Sequence, residues 1–451
     1  MRIGYLDTSN SALTYGGIAE FIIRYKQICD NLGWKFDIIV NKPPSNSQKN
    51  KVKYFEDSIL YPNNIIYGKQ YISRGIFVDH PQAYVDIFYA LEEQLRNKIY
   101  DLLITGKSEL ILFLSSFNLI GEIPMVLYVH VEQVIYDTPP KGSIFYYPTY
   151  LKILRGLHQS SNIPLWGSNM NFAKAIQNQL SNVTSVDIVP VPLRNDIALK
   201  PLPFDKTKDI LYAGSGEIRK RGLYALEIVK KLPGIEFKFA IGRGIKSIQK
   251  KIKDDNITNC EILEKLNDEE YYKIHRTTRL GINTSLMESF GINVLDHIMY
   301  HPCLLYYTGV EKYVNLFKNC CPTFGNIDEA VSMIKDYYYN EDKWHRNEQL
   351  RQKFLAYYQF DNVKHIFREQ VNKAIERFDK TTNSKWVDLV DSNPISVSQL
   401  LKKLNWNDVW SSQVLFSTYR NIGMYKYDTH SKSYLSTQND FTSIKETKEW
   451  F

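Results

Sequence analysis

The chain opens on a short apolar run, Arg2-Ile3-Gly4-Tyr5-Leu6, long enough for one strand. A glycine-bearing stretch, Thr14-Tyr15-Gly16-Gly17, follows, and residues 18–32 then read as a helix. Further short apolar runs at 36–40, 101–104, 124–129, 164–166 and 186–189 predict more strands. Strands alternating with helices imply a parallel, doubly wound sheet. At Pro190-Val191-Pro192 the last of these strands runs into two prolines, which stiffen the backbone into a connection between domains. The alternation then restarts. Strands are predicted at 209–213, 237–241, 262–263, 280–283 and 304–306, and a helix at 223–231. The charged pattern over 342–380 is helical and is expected to return toward the first domain. The fold class is therefore α/β, two Rossmann-like domains facing a cleft, with ligands expected at the carboxyl ends of the strands. The predicted domains are 1–190, 191–378 and a tail, 379–451.

The tail breaks the alternation. Residues 396–404 and 411–421 read as short amphipathic helices, and 424–427 and 432–436 flank a polar turn as a hairpin would. Helix, helix, hairpin is the order of a winged-helix module, which lays one helix in a DNA groove. Basic residues Lys402, Lys403, Arg420, Lys426 and Lys432 outnumber acidic Asp408 and Asp428 there. Lys402, Lys403, Arg420 and Lys426 are thus candidate DNA contacts. A helical appendage packed on the core would fit the same pattern.

Composition bounds the function. The 451 residues are 44% hydrophobic and 23% charged, the balance of an ordinary globular protein with ample core material. No run of about 18 apolar residues could span a bilayer, and the N-terminus reads as a strand rather than a signal peptide. The five cysteines, Cys29, Cys260, Cys303, Cys320 and Cys321, lack metal-ligand spacing and read as reduced thiols of a cytoplasmic protein. A net charge of +7 suits a polyanionic partner. The 32 tyrosines and 22 phenylalanines fit either an AT-rich genome or surfaces that stack on sugars and bases. Oligomeric state is left open.

Two segments carry most of the chemistry. Glu288-Ser289-Phe290-Gly291-Ile292-Asn293-Val294-Leu295-Asp296 follows a predicted strand and opens a helix. Carboxylates accept hydrogen bonds from hydroxyl groups, and a glycine lets a ligand approach the backbone closely. Tyr212-Ala213-Gly214-Ser215-Gly216-Glu217-Ile218-Arg219-Lys220-Arg221-Gly222 also lies between a strand and a helix, and carries three consecutive cations. Weaker signals are the pair Gly16 and Gly17, His130 at the end of the 124–129 strand, Lys107 and Ser108 after another strand, and Gly242-Arg243-Gly244 beside a possible nucleobase pocket.

Glu288 and Asp296, separated by seven residues with Phe-Gly beside the first, resemble the paired-acid motif of retaining glycosyltransferases with the two-Rossmann GT-B fold. The family's second acid is Glu, one methylene longer than Asp296. The resemblance spans most of residues 1–375. It implies that Glu288 lies near the donor sugar and that Asp296 holds the nucleotide ribose. It also implies a diphosphate near Gly16, Gly17, Phe290, Gly291 and Ile292. Arg221-Gly222 stands at the family's Lys-Gly position, while Ser215 or Gly216 stands where that family carries an arginine, a loss Arg219 or Lys220 could make good. His130 is implied to touch sugar or acceptor. No metal or cofactor is implied, only a nucleotide-sugar donor, expected to be a UDP-sugar. More narrowly, Met1-Arg2-Ile3, Asp101-Leu102-Leu103-Ile104, Val126-Leu127-Tyr128-Val129-His130 and Phe354-Leu355-Ala356-Tyr357-Tyr358-Gln359 are similar to the phage DNA α-glucosyltransferases, which decorate 5-hydroxymethylcytosine. Here Val131 follows His130 where those enzymes have an acid, and Glu132 is the nearest one. That resemblance implies double-stranded DNA as partner and the cytoplasm of an infected bacterium as location. A cell-envelope polysaccharide transferase and a DNA-binding protein with an inactive transferase fold are the alternative expectations.

Overall fold

The computed structural model describes residues 1–7, 17–40, 54–55, 58–60, 100–106, 123–129, 163–179, 186–197, 425–428 and 433–436. It also describes residues 200–378 apart from 217, 243, 287, 289, 310 and 312. The first sheet holds seven parallel strands, β1 (Arg2–Asp7), β2 (Lys35–Val40), β3 (Ile59–Leu60), β4 (Leu102–Thr105), β5 (Met125–Tyr128), β6 (Leu165–Gly167) and β7 (Asp187–Ile188). Their spatial order is β3-β2-β1-β4-β5-β6-β7. Helix α1 (Gly17–Asn31) follows β1, and α2 (Met170–Gln179) follows β6. Central β1 pairs Ile3 with Phe36 on one side and with Leu102 on the other. Five of its six residues are buried, as expected of a strand covered on both faces.

The second sheet is again parallel. It comprises β8 (Lys208–Gly214), β9 (Phe237–Ile241), β10 (Cys260–Leu263), β11 (Thr278–Asn283), β12 (Cys303–Tyr306) and β13 (Thr323–Phe324), ordered β10-β9-β8-β11-β12-β13. Its helices are α3 (Gly222–Lys230), α4 (Ile245–Asp254), α5 (Asp268–Thr277), α6 (Ile292–Ile298), α7 (Val314–Phe317) and α8 (Ile327–Tyr339).

The charged pattern over 342–380 resolves into two helices, α9 (Glu341–Tyr358) and α10 (Phe360–Glu376). Gln359, with φ −55° and ψ 142°, breaks them apart. The break lets each helix satisfy a different surface. Helix α9 stays on the second domain, where Trp344 donates to the Arg279 carbonyl at 3.0 Å and Arg351 to that of Ile298 at 2.8 Å. Helix α10 returns to the first. Its Phe367 ring lies 4.9 Å from Tyr25 and 6.0 Å from Trp166, and Arg377 bridges Asp187 at 2.9 Å. One apolar cluster therefore runs through both domains, joining Tyr25 and Trp166 to Leu295 and Tyr358.

In the tail, β14 (Tyr425–Asp428) and β15 (Ser433–Ser436) form the expected antiparallel hairpin, with Tyr427 opposite Tyr434. The two helices expected before it lie outside the described residues, and with them Lys402, Lys403 and Arg420. Of the winged-helix order only the hairpin carrying Lys426 is described. Among the described residues no helix is long and apolar enough to cross a membrane, all five cysteines are free, and no cluster of three metal-ligating side chains occurs.

Candidate active site

Strands β8 and β11 are neighbours at the centre of the second sheet, Leu211 opposite Gly281. The order of strands reverses there, so the segments leaving their carboxyl ends open a crevice. Those segments are 215–221 and 284–291, the two motif regions of the sequence. The fold brings them together although about 70 residues separate them along the chain.

Their charged groups meet. Lys220 and Glu288 form an ion pair, and Arg219 Nη1 stands 3.9 Å from the other Glu288 oxygen. The Glu288 carboxylate is buried and Lys220 nearly so, whereas Arg219 is about one-third exposed. A buried carboxylate is tolerated because cations compensate it. Ser215 Oγ, on the same loop, is buried without a hydrogen-bond partner among the described residues. A buried hydroxyl of that kind is a ready contact for a polar ligand or water. Gly216 touches the loop after β9. A Cβ on Gly216 would fall 2.2 Å from the Gly244 carbonyl oxygen, so only glycine allows this approach. Gly291 takes φ +85° as the residue preceding α6, a conformation that other residues adopt with strain.

Other expected contacts have different surroundings. Arg221 adopts a left-handed conformation at the start of α3, and its guanidinium lies 3.7 Å from the Tyr224 ring centroid and 4.3 Å from that of Tyr306. Its charge faces two aromatic rings, while Lys220 and Arg219 face Glu288. Phe290 is a core residue, packed on Phe317 and Tyr358. Ile292, the first residue of α6, also leans on that core.

Asp296 meets a residue of the first domain. It is buried, and its Oδ1 accepts from Arg24 Nη2 at 2.5 Å. Arg24 comes from α1 of the first domain and is fully buried. It also donates to the Pro192 carbonyl at 2.9 Å and to Tyr272 at 3.1 Å. Burial works against the Arg24 charge, yet Asp296, Tyr272 and Glu20 raise its pKa overall. Burial likewise lifts the Asp296 carboxyl, against the pull of Arg24. Nearby, Arg194 of the connection reaches Glu20 of α1 at 2.9 Å, Asp196 at 2.6 Å and Asp268 of α5 at 3.4 Å. The seam between the domains is thus ionic as well as apolar. An arginine three residues after Phe21 and four before Ile28, on the apolar stripe of α1, was the signal for Arg24 in the sequence.

Gly17 is the first residue of α1. Gly16, Lys107, Ser108, His130 and Arg243 lie outside the described residues. His130 follows directly on Val129, whose amide donates to the Trp166 carbonyl at 2.9 Å beside the end of β5.

No family model matches the sequence, and no curated protein matches it. Solved structures do match the fold. HepE of Anabaena, in complex with UDP and glucose, superposes with a TM-score of 0.60 at 13% identity, over 82% of this chain and 99% of that one. Sucrose-phosphate synthase from Thermosynechococcus elongatus gives 0.65 at 12% identity, over 83% and 99%. A TarM variant of S. aureus, in complex with Fondaparinux, alpha-GlcNAc-glycerol and UDP, gives 0.62 at 13% identity, over 82% and 99%. The architecture is that of the GT-B fold, two parallel-sheet α/β domains.

Proposed function

We propose that the protein is a retaining glycosyltransferase that takes a sugar from a UDP-sugar without a metal ion. One observation carries the reading: Glu288 faces Lys220 and Arg219 at the switch point of the second sheet. In this reading the two cations receive the donor diphosphate and Glu288 turns to the sugar hydroxyls. The UDP seen with HepE and TarM favours uridine as the nucleoside. The acceptor hydroxyl attacks the anomeric carbon from the face the phosphate leaves. The bond from that carbon to the phosphate oxygen breaks, and the departing phosphate takes the acceptor proton. Lys220 and Arg219 stabilise the charge that develops on UDP, which is the part a metal ion plays elsewhere. His130 is assigned to sugar or acceptor on the first-domain side.

For the acceptor, the reading is a 5-hydroxymethylated pyrimidine in double-stranded DNA. It rests on the net charge of +7, the basic tail and the hairpin that carries Lys426. The exocyclic hydroxyl is a better glycosyl acceptor than an unmodified base edge, and reaching it in the cleft calls for nucleotide flipping. A cell-envelope acceptor is the second reading, favoured by alpha-GlcNAc-glycerol in the TarM complex.

The test is to incubate the protein with a panel of nucleotide sugars and with modified or unmodified duplexes, then digest the DNA and weigh the nucleosides. A hexose added only to hydroxymethylated bases, undiminished by a chelator, is the expected result. Transfer to glycerol-containing or polysaccharide acceptors alone would move the envelope reading to first place. A strict need for a divalent ion would defeat the metal-free mechanism.

A further inference from the structure

Lys220 belongs to a single 3-10 turn, Ile218–Lys220, with no strand or long helix to hold it. Its carbonyl and those on either side are nonetheless all engaged. The Leu286 amide donates to the Arg219 carbonyl at 2.8 Å. Thr284 Oγ1 lies 3.0 Å from the carbonyls of both Lys220 and Arg221, its one proton shared between them. Tyr212 Oη, on β8, lies 3.1 Å from the Lys220 carbonyl and 3.2 Å from that of Ser215. Three consecutive carbonyls of the cationic turn are thus fastened to residues 284 and 286, which lead to Glu288. Thr284 and Tyr212 are both buried, so these bonds are shielded from water.

We propose that Thr284 and Tyr212 are positioning residues for donor binding: their hydroxyls hold the backbone of the cationic turn so that Lys220 and Arg219 face the acid loop. The inference rests on the nucleotide-sugar reading above. Neither hydroxyl needs to touch the donor. Both act through the Lys220 carbonyl, and a shift of that backbone carries the ammonium group with it. A hydroxyl and a methyl group have nearly the same size, so Thr284→Val removes the hydroxyl proton and leaves the carbonyls without that donor, whereas Thr284→Ser keeps it.

Calorimetric titration of the full chain with UDP tests this. Thr284→Val and Tyr212→Phe are each expected to weaken UDP binding about tenfold, while Thr284→Ser stays within about twofold of wild type. In a Lys220→Ala background the Thr284→Val effect is expected to shrink to about twofold or less, since the group being positioned is gone. A purely structural role would lower thermal stability and leave this coupling at zero. If Thr284→Val does not fold, Tyr212→Phe, alone and with Lys220→Ala, carries the same comparison. Folded variants that bind UDP as wild type does, or that lose the same factor with and without Lys220, overturn the positioning role. A wild-type chain that does not bind UDP at all sinks the donor-site reading, and this inference with it.

Discussion

At the scale of residues, Lys220 and Arg221 are adjacent in sequence and differ in surroundings. Lys220 faces Glu288, whereas Arg221 lies between Tyr224 and Tyr306. Under the proposed function Lys220→Ala therefore weakens UDP binding by about 1.5–3 kcal/mol, the worth of a hydrogen bond to a charged group. Arg221→Ala instead removes cation–π contacts worth about 0.5–2 kcal/mol of stability and leaves UDP affinity nearly unchanged. Titration with UDP beside thermal melts separates the two, and the reverse order of affinities would restore Arg221 as the phosphate cation. Glu288→Gln is expected to abolish most sugar transfer while the fold and UDP binding persist. A variant that still transferred at wild-type rate would remove Glu288 from the site.

At the scale of elements, α5, α6 and the turn after α6 share a histidine cluster. His275 and His297 face each other Nδ1 to Nδ1 at 3.0 Å, and His301 Nε2 donates to the Arg276 carbonyl at 2.6 Å. Burial holds all three neutral. It lowers the pKa of His301 to about 4, that of His275 to about 3, and that of His297 well below the usual value. An unfolded histidine takes a proton near pH 6.5, so the unfolded chain binds more protons as acid is added. The stability these groups contribute is complete above about pH 6.5 and is lost as pH falls toward about 4 and then 3. Urea unfolding at stepped pH should show stability falling below about pH 6.5, by up to about 1.4 kcal/mol per pH unit for each histidine. A profile flat from about pH 7 to 5 would contradict it. Helix α5 is also held at its start, where Asn267 and Glu270 cap each other at 3.0 and 2.9 Å. Asn267→Ala should cost about 1 kcal/mol in the same assay.

At the scale of the whole molecule, Arg24 and Asp296 join the domains through a buried pair. Removing one partner of such a pair leaves the other charge buried and alone, a loss of about 3–5 kcal/mol. Arg24→Leu is expected to show that loss in urea unfolding, and Arg24→Leu with Asp296→Leu to recover most of it, because two apolar side chains need no compensation. If the double variant is as unstable as the single one, packing rather than charge holds the seam. Under the proposed function the pair also bears on donor binding. It fixes α6, which starts at Ile292 shortly after Glu288, relative to α1 and the Pro192 connection.

The parallel sheets, the two-domain division and the return of the last long helix follow from local pattern, because a strand covered on both faces must be apolar throughout. The runs at 102–104, 125–129 and 210–213 show this directly. Glu288 and the cationic turn were legible for a related reason: each follows a strand and opens a helix, and that local grammar places them at a sheet's carboxyl edge. Which cation faces the acid was not legible. Lys220 and Arg221 have the same charge, and only the left-handed backbone at Arg221 and the rings beside it turn one inward and one aside. Nor was the fate of Asp296. Its partner lies 272 residues away in the other domain. A long-range pair of this kind is set by how two finished domains meet, and no window of sequence contains both halves of it.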